Sequence, residues 1–175
     1  MKLEEKRVKE NLVYDGKIIK VYSDDVLLPN GVMGKREKIK HSGGTGVFAI
    51  DGDECYLVEQ FRYAYGKTIL EIPAGKLEKQ EDPKTAALRE LEEEIGYTAS
   101  SIEHLITYYP TVGYTDEILY IYIAEGLKET NRHLDEDEFM NVKKVKIKEL
   151  YQMILNNEIQ DSKTIIAVLT YLSKK

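Results

Sequence analysis

One capped helix between runs of strand-like sequence limits this chain to few architectures. Residues 82–96 read "DPKTAALRELEEEIG". Asp82 suits the N-cap, Pro83 the first helical position, and Gly96 the left-handed residue that ends a helix. At about 100° per residue, Ala87, Leu88, Leu91 and Ile95 line one apolar stripe, which predicts a core-facing helix over 83–95. Glu90, Glu93 and Glu94 fall on the adjacent arc at i, i+3 and i+4. Ala86 precedes them by one turn and leaves open space before them, while Arg89 is within reach of Glu93. The acids crowd the end of the helix that carries partial negative charge. Each like-charged i, i+4 pair costs only about 0.2–0.5 kcal/mol, so a solvated acidic face is tolerable. A divalent cation changes the sign of the argument. Three convergent carboxylates make a hard, oxygen-rich site of the kind that suits Mg²⁺ or Mn²⁺.

The rest of the chain is mostly strand pattern. "KIIKVYSDDVLLP" alternates, "NG" at 30–31 signals a hairpin, and "REKIKH" supplies a return strand. "TGVFAID" and "CYLVEQFRY" flank the turn "DGDE"; "TILEIPAG", "DEILYIYIAEGL" and "EFMNVKKVKI" add three more strands. Two further helices are predicted over 147–155 and 162–173, and the first ten residues read as a polar arm or a first helical turn. This order implies an α+β fold, a mixed sheet sandwiched by helices. The 175 residues suit one core, with 42% apolar and 32% charged residues. No apolar run approaches a membrane span, and the charged N-terminus does not read as a secretory signal. The net charge of −6 argues against a nucleic-acid partner. Cys55, the single cysteine, excludes an internal disulfide, fits a reducing cytoplasm, and reads as a small core residue. "GGTG" at 43–46 has no following helix or lysine, so it is a strand start and not a phosphate loop. His41, His104 and His133 have no ligand spacing.

The flanks of the acidic helix sharpen its meaning. From Gly75 the chain runs five residues to Glu81, seven more to Arg89, then Glu90, Leu91, Glu92, Glu93, Glu94, Ile95, Gly96 and Tyr97. This resembles the Nudix box, with Tyr97 where the box ends on an aliphatic. "LEIPAGKLE", "TDEILYIYIAEGL", "LDEDEF" and "DSKTIIAVLTYL" are similar to the ADP-ribose pyrophosphatase branch of that family. The resemblance implies a Nudix α/β/α sandwich and Mg²⁺-dependent hydrolysis of a nucleoside diphosphate linked to another moiety, with ADP-ribose, cut to AMP and ribose 5-phosphate, as the first expectation. It implies metal binding by Glu90, Glu93, Glu94 and the Ala74 carbonyl. It gives Glu136 and Glu138 the catalytic handling of the attacking water, and Arg36, Arg62 and Glu71 contact with substrate.

The same resemblance implies a homodimer, with residues 1–40 as an N-terminal strand region that joins subunits and residues 41–175 as the Nudix domain. It leaves three departures. Thr111, Val112 and Gly113 stand where the branch has serine, proline and glycine, so Val112 occupies the place of a substrate-marking proline. "HSGGTGVFAI" replaces a histidine–proline–glycine start, and Gln80 replaces a common glycine. These leave open hydrolysis of another nucleotide sugar or nucleotide. A sensor that binds ADP-ribose without cutting it is the other alternative, set against the intact box.

Overall fold

The structure, a computed structural model, describes residues 2–175. It divides into two units: the chain up to Gly43 with Tyr109–Ile118, and Gly44–Tyr108 with Leu119–Lys175.

In the first unit, β1 (Lys6–Lys9), β2 (Leu12–Asp15), β3 (Lys20–Leu27) and β4 (Met33–Lys40) make an antiparallel sheet. The 30–31 hairpin signal is correct: Gly31 has φ +81°, and Leu28 N–H reaches the Val32 carbonyl at 2.9 Å. β1 and β2 share one edge of β3, and Asn11 bridges them by donating from Nδ2 to the Ser23 carbonyl at 3.0 Å. The N-terminal segment is therefore neither a free arm nor a helical turn. All four β1 residues are exposed, so the strand is held by backbone pairing and leaves no apolar alternation to read.

The second unit holds β5 (Gly44–Asp51), β6 (Glu54–Arg62), β7 (Lys67–Glu71), β8 (Ala74–Lys76), β9 (Tyr97–Tyr108), β10 (Leu119–Glu129) and β11 (Met140–Lys146). The main order is β11-β6-β5-β10-β9, with β7 on β6 and β8 on β5. β5 and β10 run parallel and their neighbours antiparallel, so the sheet is mixed. Helices α1 (Pro83–Ile95), α2 (Ile147–Leu155) and α3 (Ser162–Ser173) begin and end where their patterns predict. The 12-residue β9 has no counterpart among the expected strands. Tyr97 opens it and packs on the core beside Tyr56, and the small, polar "TASS" that follows hides the strand pattern.

Two apolar layers cover the sheet. Val47, Ala49, Tyr56, Val58, Tyr122 and Ala124 pack with Ala87, Leu91 and Ile95 of α1. Phe48, Ile50, Cys55, Leu57 and Ile121 pack with Leu150 of α2 and Ala167, Val168 and Tyr171 of α3. Successive residues of β5 thus alternate between the layers, which is why that strand reads as a continuous apolar run. Leu91, with no exposed surface, anchors α1, and its truncation to alanine would cost about 2–5 kcal/mol. Ala86 is also fully buried, so it does not open the space expected before the acids.

Candidate active site

Helix α1 carries the acids because both its ends are fixed. The Asp82 carboxylate accepts from the backbone N–H groups of Lys84 and Thr85 at 3.1 and 3.0 Å, and Gly96 closes the helix at φ +74°. The loop after β10 covers the negative end. Arg132 donates to the Glu94 carbonyl at 2.5 Å and to the Met140 carbonyl at 2.8 Å, and His133 N–H reaches the Glu93 carbonyl at 3.3 Å. The helix terminus that looked wrong for carboxylates thus receives its cation from a distant loop.

The box acids separate into two kinds. Arg89 holds Glu81 at 3.0 Å, Glu90 at 2.8 Å and Glu93 at 2.7 Å, so the expected Arg89–Glu93 pair is present within a larger fork. Glu94 has no cation within ion-pair distance among the described residues; the Ala74 N–H donates to its Oε2 at 2.8 Å. Glu90 and Glu94 are 7% and 3% exposed. Burial pushes the Glu90 carboxyl up to about 7, against the opposing pull of Arg89. Burial likewise pushes Glu94 up to about 8; the Ala74 N–H opposes the shift, while the charges of Glu90 and Glu138 add to it. Gly75 presses against this pair: a Cβ there would lie 1.8 Å from Glu90 Oε1. The glycine is needed for close approach, not for backbone conformation.

The donor set fits a divalent cation. Its side-chain donors are hard oxygens, and two are buried carboxyls without enough positive charge to ionise fully. Among the described residues, no three His, Cys, Asp or Glu side chains are gathered into a ready ligand cage. Glu93 is turned to Arg89, and like charges do not converge without a counter-charge.

The late acidic loop contributes unequally. Glu138 is half-buried, and its charge is felt at both Glu90 and Glu94; Glu136 lies exposed in a turn. Arg62 and Glu71 do come together, with Nε–Oε1 at 2.5 Å and Nη2–Oε2 at 2.9 Å, and the Arg62 charge is felt at Glu94. Arg36 belongs to the first unit, where it pairs with Glu5 at 2.5 Å. Sequence reasoning missed Lys163, which binds Glu71 at 2.9 Å and Asp161 at 2.7 Å. Burial works against its charge, but Asp161 and Glu71 outweigh it and hold its pKa above the usual lysine value. The only signal in the sequence was the lysine inside "DSKT". These groups line a cavity of about 350 Å³ with Tyr63, Tyr65 and Gln160. Gln80, at the departure from glycine, has φ +64°, which is why a glycine suits that position.

Comparison with known proteins agrees with this geometry. A family model described as "NUDIX domain" matches residues 40–168. The chain is 47% identical to the methanol dehydrogenase activator of Bacillus methanolicus, covering 94% of this chain and 91% of that one. It is 44% identical to the ADP-ribose pyrophosphatase of Bacillus subtilis, covering 99% and 95%. A crystal structure of an ADP compounds hydrolase superposes with a TM-score of 0.88 at 18% identity, covering 99% of this chain and 95% of that one, so the fold is shared. With its box complete and its sheet sandwiched between α1 and the α2–α3 pair, the chain belongs to the Nudix family.

Proposed function

We propose that this protein is a Nudix pyrophosphohydrolase that cleaves ADP-ribose to AMP and ribose 5-phosphate, using Mg²⁺. The observation that carries this reading is the pair of buried, charge-deficient carboxyls, Glu90 and Glu94, seated against Gly75 in a complete box. The name of the 44% identical relative supports the substrate. Mg²⁺ is the first choice because the side-chain donors are all hard oxygens, and Mn²⁺ shares that preference.

Glu90, Glu93 and Glu94, with the Ala74 carbonyl, would hold the metal. When bound, a divalent cation neutralises diphosphate oxygens and acidifies a water. Arg89 holds Glu93 and Glu90 in place from the helix flank. Arg62, oriented by Glu71, faces the substrate phosphates. Glu138 takes the proton from the attacking water, in preference to Glu136, because it is half-buried and electrostatically joined to Glu90 and Glu94. Water oxygen bonds to one phosphorus, the bridging P–O bond breaks, and the bridge oxygen leaves with the other phosphate.

Incubation with Mg²⁺ and a panel of ADP-ribose, nucleotide sugars, dinucleoside polyphosphates and deoxynucleoside triphosphates tests the reading. ADP-ribose should be the preferred member. No hydrolysis of any member refutes the enzyme, and clear preference for another refutes the substrate; Val112 at the marker position makes that second arm informative. Tight binding with ADP-ribose recovered intact would favour a sensor. We also infer a cytoplasmic homodimer joined through the first 40 residues, with Arg36 serving the neighbouring subunit's substrate site. Exposed apolar residues such as Leu12, Val13, Tyr14 and Ile18 support this pairing surface. A monomer mass of 20.1 kDa in light scattering would overturn it.

The 47% identical activator favours a second reading, action upon a dehydrogenase. Adding the protein, with Mg²⁺, to a methanol dehydrogenase and following its rate tests that reading; an unchanged rate refutes it.

A further inference from the structure

We propose that Lys163 is a positioning residue that keeps Arg62 available to an anionic substrate by neutralising the buried acids Glu71 and Asp161. The inference rests on the hydrolase reading above, since it assigns Arg62 to substrate phosphate.

The groups form one continuous chain. Arg62 donates twice to Glu71, which is 2% exposed. The Lys163 ammonium reaches Glu71 Oε2 at 2.9 Å and Asp161 Oδ1 at 2.7 Å. Asp161 Oδ2 accepts the Thr164 N–H at 2.9 Å and the Thr164 hydroxyl at 2.7 Å, which caps α3. The Thr164 hydroxyl oxygen then accepts the Ile72 N–H at 2.9 Å. Ile72 lies two residues before Ala74, whose N–H holds Glu94. The start of α3 thereby fixes the backbone that presents one metal-site acid and the carboxylate that orients Arg62.

Charge decides the role. Arg62 and Lys163 balance Glu71 and Asp161, so the network is neutral. Without Lys163, two carboxylates face one guanidinium in a poorly solvated place, and the Arg62 charge is spent on them. An incoming diphosphate then meets a net negative patch. The metal side is not harmed by the same change, because Glu94 sees a more negative surrounding, which favours a cation. The defect should therefore fall on substrate binding and spare turnover.

The test uses ADP-ribose hydrolysis in Mg²⁺ by four variants. Lys163→Met should raise KM about tenfold with kcat within about threefold of wild type. Lys163→Arg should stay near wild type. Lys163→Met combined with Asp161→Asn should recover most of the lost affinity, because neutrality returns and asparagine still caps the helix. Asp161→Asn alone should lower KM. A purely structural lysine predicts the reverse for the double variant, a defect at least as large as the single one. An unchanged KM in Lys163→Met, a double variant as impaired as the single, or a raised KM in Asp161→Asn overturns the inference. If Lys163→Met does not fold, the double variant and Asp161→Asn decide alone. Calorimetric binding of ADP in EDTA separates the two readings. A wild type that binds ADP without cutting ADP-ribose refutes the hydrolase, and the Kd order of the variants still decides the role of Lys163. A wild type that neither binds nor cuts refutes both.

Discussion

Glu94→Gln in metal-free protein isolates the energetic strain of the proposed metal site. Glu94 ionises near 4.5 when unfolded and about 8 when folded, because it is buried among acids with only the Ala74 N–H to accept from. A carboxyl raised on folding leaves full stability below the unfolded pKa and removes it as pH climbs to the folded one. Between these limits the fold loses about 1.4 kcal/mol per pH unit. The loss is small at pH 5, several kcal/mol at pH 7 and close to its limit of roughly 5 kcal/mol above pH 8. Glutamine keeps the shape and an acceptor for the Ala74 N–H, and it does not ionise. Urea unfolding in EDTA at pH 5, 6, 7 and 8 should therefore show wild type losing about 2–3 kcal/mol more than the variant between pH 5 and pH 7. Glu90 titrates in both proteins and loses a like-charged neighbour in the variant, which widens the gap. The slope is the readout, since any fixed cost of burying the amide cancels. Saturating Mg²⁺ should flatten the wild-type curve, because binding to the folded state adds stability where the acids ionise. Equal pH slopes in EDTA would refute the reasoning, for they would mean that Glu94 is not a strained, charge-deficient acid.

Four other outcomes are open to measurement. Glu94→Gln in Mg²⁺ should cut kcat at least about a hundredfold, the loss of several kcal/mol of charge stabilisation, and wild-type turnover would refute its metal role. Gly75→Ala should abolish most metal-dependent turnover with little change in Tm, because the new Cβ would displace the Glu90 carboxylate, 1.8 Å away, and not the backbone. Gln80→Gly should stabilise the fold by about 0.5–1 kcal/mol in urea unfolding, relieving a side chain held at φ +64°. Arg132→Ala should cost about 1–3 kcal/mol by leaving the Glu94 and Met140 carbonyls unpaired, and should lower kcat more than KM by loosening the loop that carries Glu138.

Local chemistry was enough for part of this protein. The ends of α1 follow from Asp82, Pro83 and Gly96, whose preferences act within one turn, and the positions of α2 and α3 follow from their apolar periodicity. The spacing from Gly75 to Tyr97 likewise carried the box, because consecutive turns of one helix bring Glu90, Glu93 and Glu94 to one region whatever surrounds them. What depended on distant partners was not legible. The exposed β1 is held by the backbone of β3, and after Tyr97 β9 runs through small polar residues that say little until β10 pairs with them. The first residues accordingly read as an arm or a helical turn, and β9 does not show in the sequence pattern. Only the tertiary structure separated Glu138 from Glu136, since their letters are the same and their burial is not. Only it brought Lys163 to Glu71 across 92 residues and Arg132 to the end of α1 across 38. A sequence records which charges a chain owns. Which of them are buried together, and so which need a counter-charge, is decided when the sheet and its helices exclude water from between them.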